Sequence, residues 1–166
     1  ALDGAKLVCV VHTSNVLGVR NPVEEIITMS KKVGARVLID AAQGVPHELI
    51  DFKELGADFL AFSAHKMCGP TGIGALLISN DAFSEMEPFM GGGDMIETVT
   101  LEGSTYQSNE HKFEAGTPRI AEGFGWAAAL EWISGVDLAS HHSRLLEIAK
   151  RVSQNLSEKG MTVYST

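Results

Sequence analysis

Asp40, Gln43, Ser63, His65 and Lys66 are the residues of this sequence whose types and order could do chemistry together. Asp40 closes the apolar run Arg36-Val37-Leu38-Ile39, and Gln43 follows in the next loop. Ser63, His65 and Lys66 directly follow a second run, Asp58-Phe59-Leu60-Ala61-Phe62. Each has an ordinary reading when taken alone. An Asp after a strand caps a helix or shapes a turn, a Lys there is solvated, and Gly69-Pro70-Thr71-Gly72 is turn chemistry whatever the function. Together they meet the demands of pyridoxal phosphate. An amine must form a Schiff base with the aldehyde, which suits Lys66. A carboxylate must keep the pyridine nitrogen protonated so that the ring withdraws electrons, which suits Asp40. Hydroxyl, imidazole and backbone donors must hold the phosphate dianion, which suits Ser63 and His65.

These residues share a cleft only if neighbouring strands end at one height, so the elements matter. Leu7 to Val11 reads as a strand covered on both faces. A helix follows from Pro22 to Lys32, with Glu24 and Glu25 at its positive end, Lys31 and Lys32 at its negative end, and Gly34 as the stop. Arg36 to Asp40 is a second strand, Phe52 to Leu55 a helical turn, Asp58 to Phe62 a third strand and Ile73 to Ile78 a fourth. Strands alternating with helices argue for an α/β sheet of largely parallel order, with ligands at the carboxyl ends of the strands. Beyond Ile78 the pattern changes. A short helix is expected near Asp81 to Met86, then extended pieces at Thr98 to Leu101 and Lys112 to Glu114. From Pro118 the chain becomes helical, through Ala127 to Ile133 and stopping at Gly135, and a second helix follows from Leu138 to Lys159. In the last of these Leu138, Leu145, Ala149, Val152 and Leu156 fall on one face, and His141 and His142 face solvent. Met161 to Tyr164 reads as a strand beginning.

The chain has 166 residues, 45% of them hydrophobic, and a formal net charge of −8. That size and composition suit a globular core, and the acidic balance argues against nucleic acid as a partner. No apolar run is long enough for a membrane helix. Two cysteines are too few for a disulfide framework: Cys9 reads as buried core and a reducing compartment is expected. His12, His47, His111, His141 and His142 show no paired spacing for a metal. The chain opens on Ala1 and runs almost at once into a strand, so the first residue is expected to be a cut.

The segment from Asp58 to Leu76, with Ser63-Ala64-His65-Lys66 at its centre, resembles the signature around the Schiff-base lysine of class V aminotransferases. Further motifs narrow the resemblance to the SufS-type (group II) cysteine desulfurases and selenocysteine lyases. They are His12-Thr13-Ser14-Asn15, Asp40-Ala41-Ala42-Gln43, Gly91-Gly92-Gly93-Asp94-Met95-Ile96 and Phe113-Glu114-Ala115-Gly116-Thr117-Pro118. The resemblance runs through the whole chain in the family's order. It implies the fold type I of PLP-dependent transferases: a large domain with a mixed, mostly parallel sheet and flanking helices, here incomplete. Residues 1–135 would be the central part of that domain, and 136–166 would lead into a C-terminal small domain.

By the same resemblance Lys66 would be catalytic, holding the cofactor and then shuttling a proton. Asp40 would pair with the pyridinium, Asn15 and Gln43 would lie at the phenolic oxygen side of the ring, and Ser63 and His65 would bind the phosphate. Thr117 would reach the phosphate of the other subunit of a homodimer, and it also suits a helix N-cap ahead of Pro118. The implied reaction converts L-cysteine, or L-selenocysteine, to alanine. Its sulfur would pass through an enzyme persulfide to a sulfur-acceptor protein for iron–sulfur cluster assembly, in the cytoplasm or the plastid stroma. The family's persulfide cysteine and substrate-binding arginine belong to segments outside this chain, and Cys68 is expected to be inert. Other class V enzymes, such as a selenocysteine lyase or a kynureninase-like or aminotransferase-like enzyme, share the lysine and aspartate. A non-catalytic binding fragment is the reading of a different kind, but it gives no reason to keep Lys66, Asp40, Gln43 and His65 in register.

Overall fold

The computed structural model describes residues 2–164. Its main sheet is built from four short strands in the order β1 (Leu7–Val11), β2 (Arg36–Asp40), β3 (Phe59–Ser63) and β4 (Gly74–Ile78). The first three run parallel and β4 runs antiparallel to β3. The register sets Val11 beside Asp40, Asp40 beside Ala61, and Ser63 opposite Gly74. Asp40, Ser63 and the chain leading to Lys66 therefore emerge at one edge of the sheet, the condition the sequence left open.

Helix α1 (Val23–Lys32) links β1 to β2 and buries Val23, Ile27 and Ser30, spaced four and three residues apart so that they share one face. Glu24 and Glu25 begin it, Lys31 and Lys32 end it, and both pairs complement the helix dipole. Gly34, at φ 73°, ends it in a Schellman arrangement, with Ala35 N donating to Ser30 O at 3.0 Å and Gly34 N to Lys31 O at 3.1 Å. Helix α2 (Phe52–Leu55) is fixed at both ends. Asp51 accepts from Lys53 N and Glu54 N, and Gly56 adopts φ 71°. The core joins Val23 and Ile27 of α1 to Val37, Ile39 and Leu60 of the sheet and to Ala41 and Ala57. Asp58 is buried at the far edge, where it accepts from Arg36 Nη1 at 2.7 Å and Val37 N at 2.8 Å.

Beyond β4 come α3 (Asn80–Glu85), a two-stranded antiparallel ribbon of β5 (Ile96–Val99) and β6 (Ser104–Tyr106), and helices α4 (Ile120–Ser134) and α5 (Leu138–Glu158). Trp126 of α4 packs edge-on against Phe62 of β3, with ring centroids 5.9 Å apart.

Several expectations need correcting. β1 is not covered on both faces: Leu7, Cys9 and Val11 alternate onto one face that nothing packs against among the described residues, with Leu7 50% and Val11 42% exposed. Lys112 to Glu114 is not extended. Glu110–Phe113 forms a 3-10 turn whose entry is capped by Asn109 Oδ1, an acceptor from His111 N at 3.1 Å. The strand that pairs with β5 is β6, which has little apolar content to announce it. Met161 to Tyr164 is not a strand, since no neighbouring strand pairs with it among the described residues. His142 does not face solvent freely; it is half-buried with its ring 6.3 Å from that of His47.

Candidate active site

The Lys66 turn is made by the reversal between β3 and β4. Ala64–Lys66 forms a 3-10 turn, and Ala64 O accepts from both Met67 N at 2.8 Å and Gly69 N at 2.9 Å. Ala64 and Met67 are buried and anchor the turn, while His65 and Cys68 point outward and Lys66 is half-buried between them. Cys68 adopts φ 62°, a left-handed conformation that is uncommon for a side chain with a Cβ. Gly69 seats the turn on α4, because a Cβ there would lie 2.9 Å from Trp126 Cδ1 and 3.0 Å from Ala64 O. The Trp126 indole N–H is buried with no hydrogen-bond partner among the described residues.

Asp40, Ser63 and Lys66 line one hollow of about 530 Å³, together with Ala42, Ala61, Phe62, Gly74 and Ala75. The small side chains keep its floor low, and Gly74 is required at its rim: a Cβ there would lie 2.7 Å from Phe62 O. Asp40 Oδ1 accepts from Ala42 N at 3.0 Å, which shapes the turn after β2 and leaves Oδ2 without a partner among the described residues. An amine, a carboxylate with a free oxygen and a hydroxyl around a low floor form a donor and acceptor set that fits pyridoxal phosphate.

Asn15 and Gln43 meet each other rather than this group. The Gln43 side-chain amide donates to Asn15 Oδ1, and both line a second hollow of about 290 Å³ with Thr13, Ser14, His47, His142 and α5 residues Leu145, Leu146 and Ala149. His65 and Thr117 are exposed and line neither hollow. Thr117 sits between Gly116, at φ 83°, and Pro118, just before α4.

His12, named from the sequence as the head of the His12-Thr13-Ser14-Asn15 motif and as one of five histidines without metal spacing, is 1% exposed, and its peptide N–H donates to the carbonyl of Asp40. Burial pushes its imidazole below the ordinary value, against the pull of Glu48, whose Oε1 lies 3.5 Å from Nδ1. His47 is lowered as well, first by burial and then by His142 and His141.

A mostly parallel sheet carrying a lysine, a carboxylate and a hydroxyl at one edge defines a cofactor-binding α/β enzyme fold. The family model for class V aminotransferases matches residues 2–166, and the chain belongs to that family, whose enzymes depend on pyridoxal phosphate. Among curated relatives, the cysteine desulfurase of Haloferax volcanii is 49% identical over 146 residues, covering 87% of this chain and 34% of the relative. Among solved structures, an apo cysteine desulfurase from Thermococcus onnurineus NA1 superposes with a TM-score of 0.92 at 41% identity, covering 99% of this chain and 42% of that one. The S-sulfonic acid form of the cysteine desulfurase CsdA from Escherichia coli gives 0.87 at 38% identity, covering 92% and 38%. The chain thus spans about two fifths or less of the length of these relatives. The shared architecture is the fold type I of PLP-dependent enzymes.

Proposed function

We propose that the polypeptide to which this chain belongs is a cysteine desulfurase that removes sulfur from L-cysteine and releases alanine. The observation that carries this reading is the convergence of Lys66, Asp40 and Ser63 on one hollow at the ends of β2 and β3. The relatives named cysteine desulfurase support the substrate. When bound, pyridoxal phosphate supplies an aldehyde that condenses with amines and a pyridinium that withdraws electrons. Asp40 would pair with the ring nitrogen and keep it protonated. Ser63, His65 and a partner subunit's copy of Thr117 would donate to the phosphate, and Asn15 and Gln43 would serve the phenolic side. Lys66, on the same hollow, would hold the cofactor through its amine and would serve as the base that moves the substrate's α proton. The sulfur passes to a cysteine outside this chain as a persulfide and on to an acceptor protein for iron–sulfur assembly.

In this reading residues 1–135 are the central part of the cofactor domain and 136–166 lead to a smaller one. The SufS-type assignment rests on the motifs at His12-Thr13-Ser14-Asn15 and Gly91-Gly92-Gly93. The test is Lys66→Ala in the full-length protein. The visible absorbance of the bound cofactor should disappear and alanine formation from L-cysteine should fall to background. An unchanged visible spectrum would sink the assignment.

A further inference from the structure

His12 is the one buried histidine among the described residues, and the contacts of its ring and backbone all lead to loops that carry the candidate site. Its peptide N–H donates to Asp40 O at 2.7 Å, and its carbonyl accepts from Asn21 N at 2.8 Å. Ring Nδ1 lies 3.0 Å from Thr13 Oγ1 and 3.5 Å from Glu48 Oε1. The ring also lies against the backbone of Gly44, where a Cβ would fall 2.5 Å from Nδ1, 3.0 Å from Cγ and 3.1 Å from Cε1. Gly44 immediately follows Gln43, and its own N–H closes the turn onto Ala41 O at 2.9 Å. Across the gap, Gln43 holds Asn15, three residues after His12 in the chain. The glycine at 44 is therefore the counterpart of the histidine at 12: the loop comes down onto the ring because no side chain intervenes. Burial favours the neutral ring here, so the wedge places no unpaired cation in the interior.

We infer that His12 is a positioning residue, a wedge under Gly44 that sets the height of Asp40 and Gln43 against Asn15 and so orients the groups that face the cofactor ring. This rests on the assignment of the hollow to pyridoxal phosphate made above. A second contact chain, from Glu48 through Arg20 to Glu24, braces the wedge from the α1 side, with Arg20 Nε 3.4 Å from Glu48 Oε1 and Arg20 Nη2 2.5 Å from Glu24 Oε1.

The experiment uses the full-length protein and four variants: His12→Ala, Gly44→Ala, the double variant and Lys66→Ala. In the apo proteins, amide hydrogen exchange is read over residues 41–45. After reconstitution with pyridoxal phosphate, the cofactor dissociation constant and the pH midpoint of its visible absorbance are read. With His12→Ala, exchange at Ala41 and Gly44 should rise, the dissociation constant should rise on the order of tenfold or more, and the pH midpoint should move. Gly44→Ala should reproduce these changes with the histidine in place, because the added methyl and the ring cannot share the space. The double variant should recover part of the loss. A folded His12→Ala protein with unchanged exchange, affinity and pH midpoint overturns the inference and leaves His12 a core-filling residue. If His12→Ala does not fold, Gly44→Ala decides alone: unchanged readouts in that variant overturn the inference. Cofactor absorbance surviving Lys66→Ala overturns the reading beneath it instead, so the two failures are distinct.

Discussion

Asp40 divides its work between two oxygens. Oδ1 holds the turn after β2 through Ala42 N, and Oδ2 is left for a ligand. The two roles separate in Asp40→Asn, which keeps an acceptor for the turn and removes the charge. Stability should stay within about 0.5 kcal/mol of the parent by chemical denaturation, while cysteine turnover in the full-length protein falls about 10²-fold or more. Of the residues named from the sequence, Asp40, Ser63 and Lys66 meet at one hollow, because each follows an apolar run that ends at the same end of the sheet. His12 was legible as the head of a motif, but its packing role was not. A single histidine after a strand has no periodicity to mark it, and its importance lies in contact with Gly44, a residue remote in the sequence. The pairing of Asn15 with Gln43 was equally hidden, since side chains that bond across two loops leave no spacing signal.

The reversal from β3 to β4 holds the lysine in place by packing against a helix, and Gly69 is the point of contact. Gly69→Ala puts a methyl 2.9 Å from Trp126 Cδ1 and 3.0 Å from Ala64 O, so one of them must shift. It should destabilise the chain by about 1–3 kcal/mol, measured by urea denaturation. The lowered His47 and His12 make the fold around the Gly44 to Leu49 loop the part expected to respond to acid. His47 and His12 both titrate below 6.5 in the fold, chiefly because they are buried. The unfolded chain therefore binds more protons than the folded one as pH falls below 6.5, so stability is full above that value and drains away on acidification. His142 and His141 add to the lowering at His47 and Glu48 opposes it. Melting temperature followed by circular dichroism should drop between pH 7.5 and pH about 5.5, and His47→Gln should flatten the slope. The early elements were legible, since terminal charges and Gly34 bound α1 and the strands are short apolar runs. The later ones failed where local polarity decides: Asn109 draws the residues after it into a 3-10 turn, and Met161 to Tyr164 lacks a strand to pair with.

Helix α4 is rich in apolar residues with no polar face, its Glu122 and Glu131 falling on opposite sides, the pattern of a helix that is largely enclosed. In this chain only part of it is covered: Trp126 meets the sheet, whereas Phe124 is 76% and Trp132 64% exposed. The chain expressed alone should bind an apolar dye and self-associate, by fluorescence and size-exclusion chromatography, and Phe124→Glu should reduce both. The α/β class and the parallel order of β1 to β3 could be read from the alternation of runs, but α4's exposure could not, because sequence pattern says what wants burial and not what supplies it. The antiparallel return of β4 carries a consequence for folding kinetics. Ser63 and Gly74 meet across a short loop, while Leu7 finds Arg36, and Leu38 finds Phe59, only after a longer connection. The β3–β4 pair therefore closes at the smallest cost in chain entropy and is the unit expected to form first. Lys66 lies inside it, so its amine is set in its turn before the carboxylate of Asp40 arrives beside it on β2.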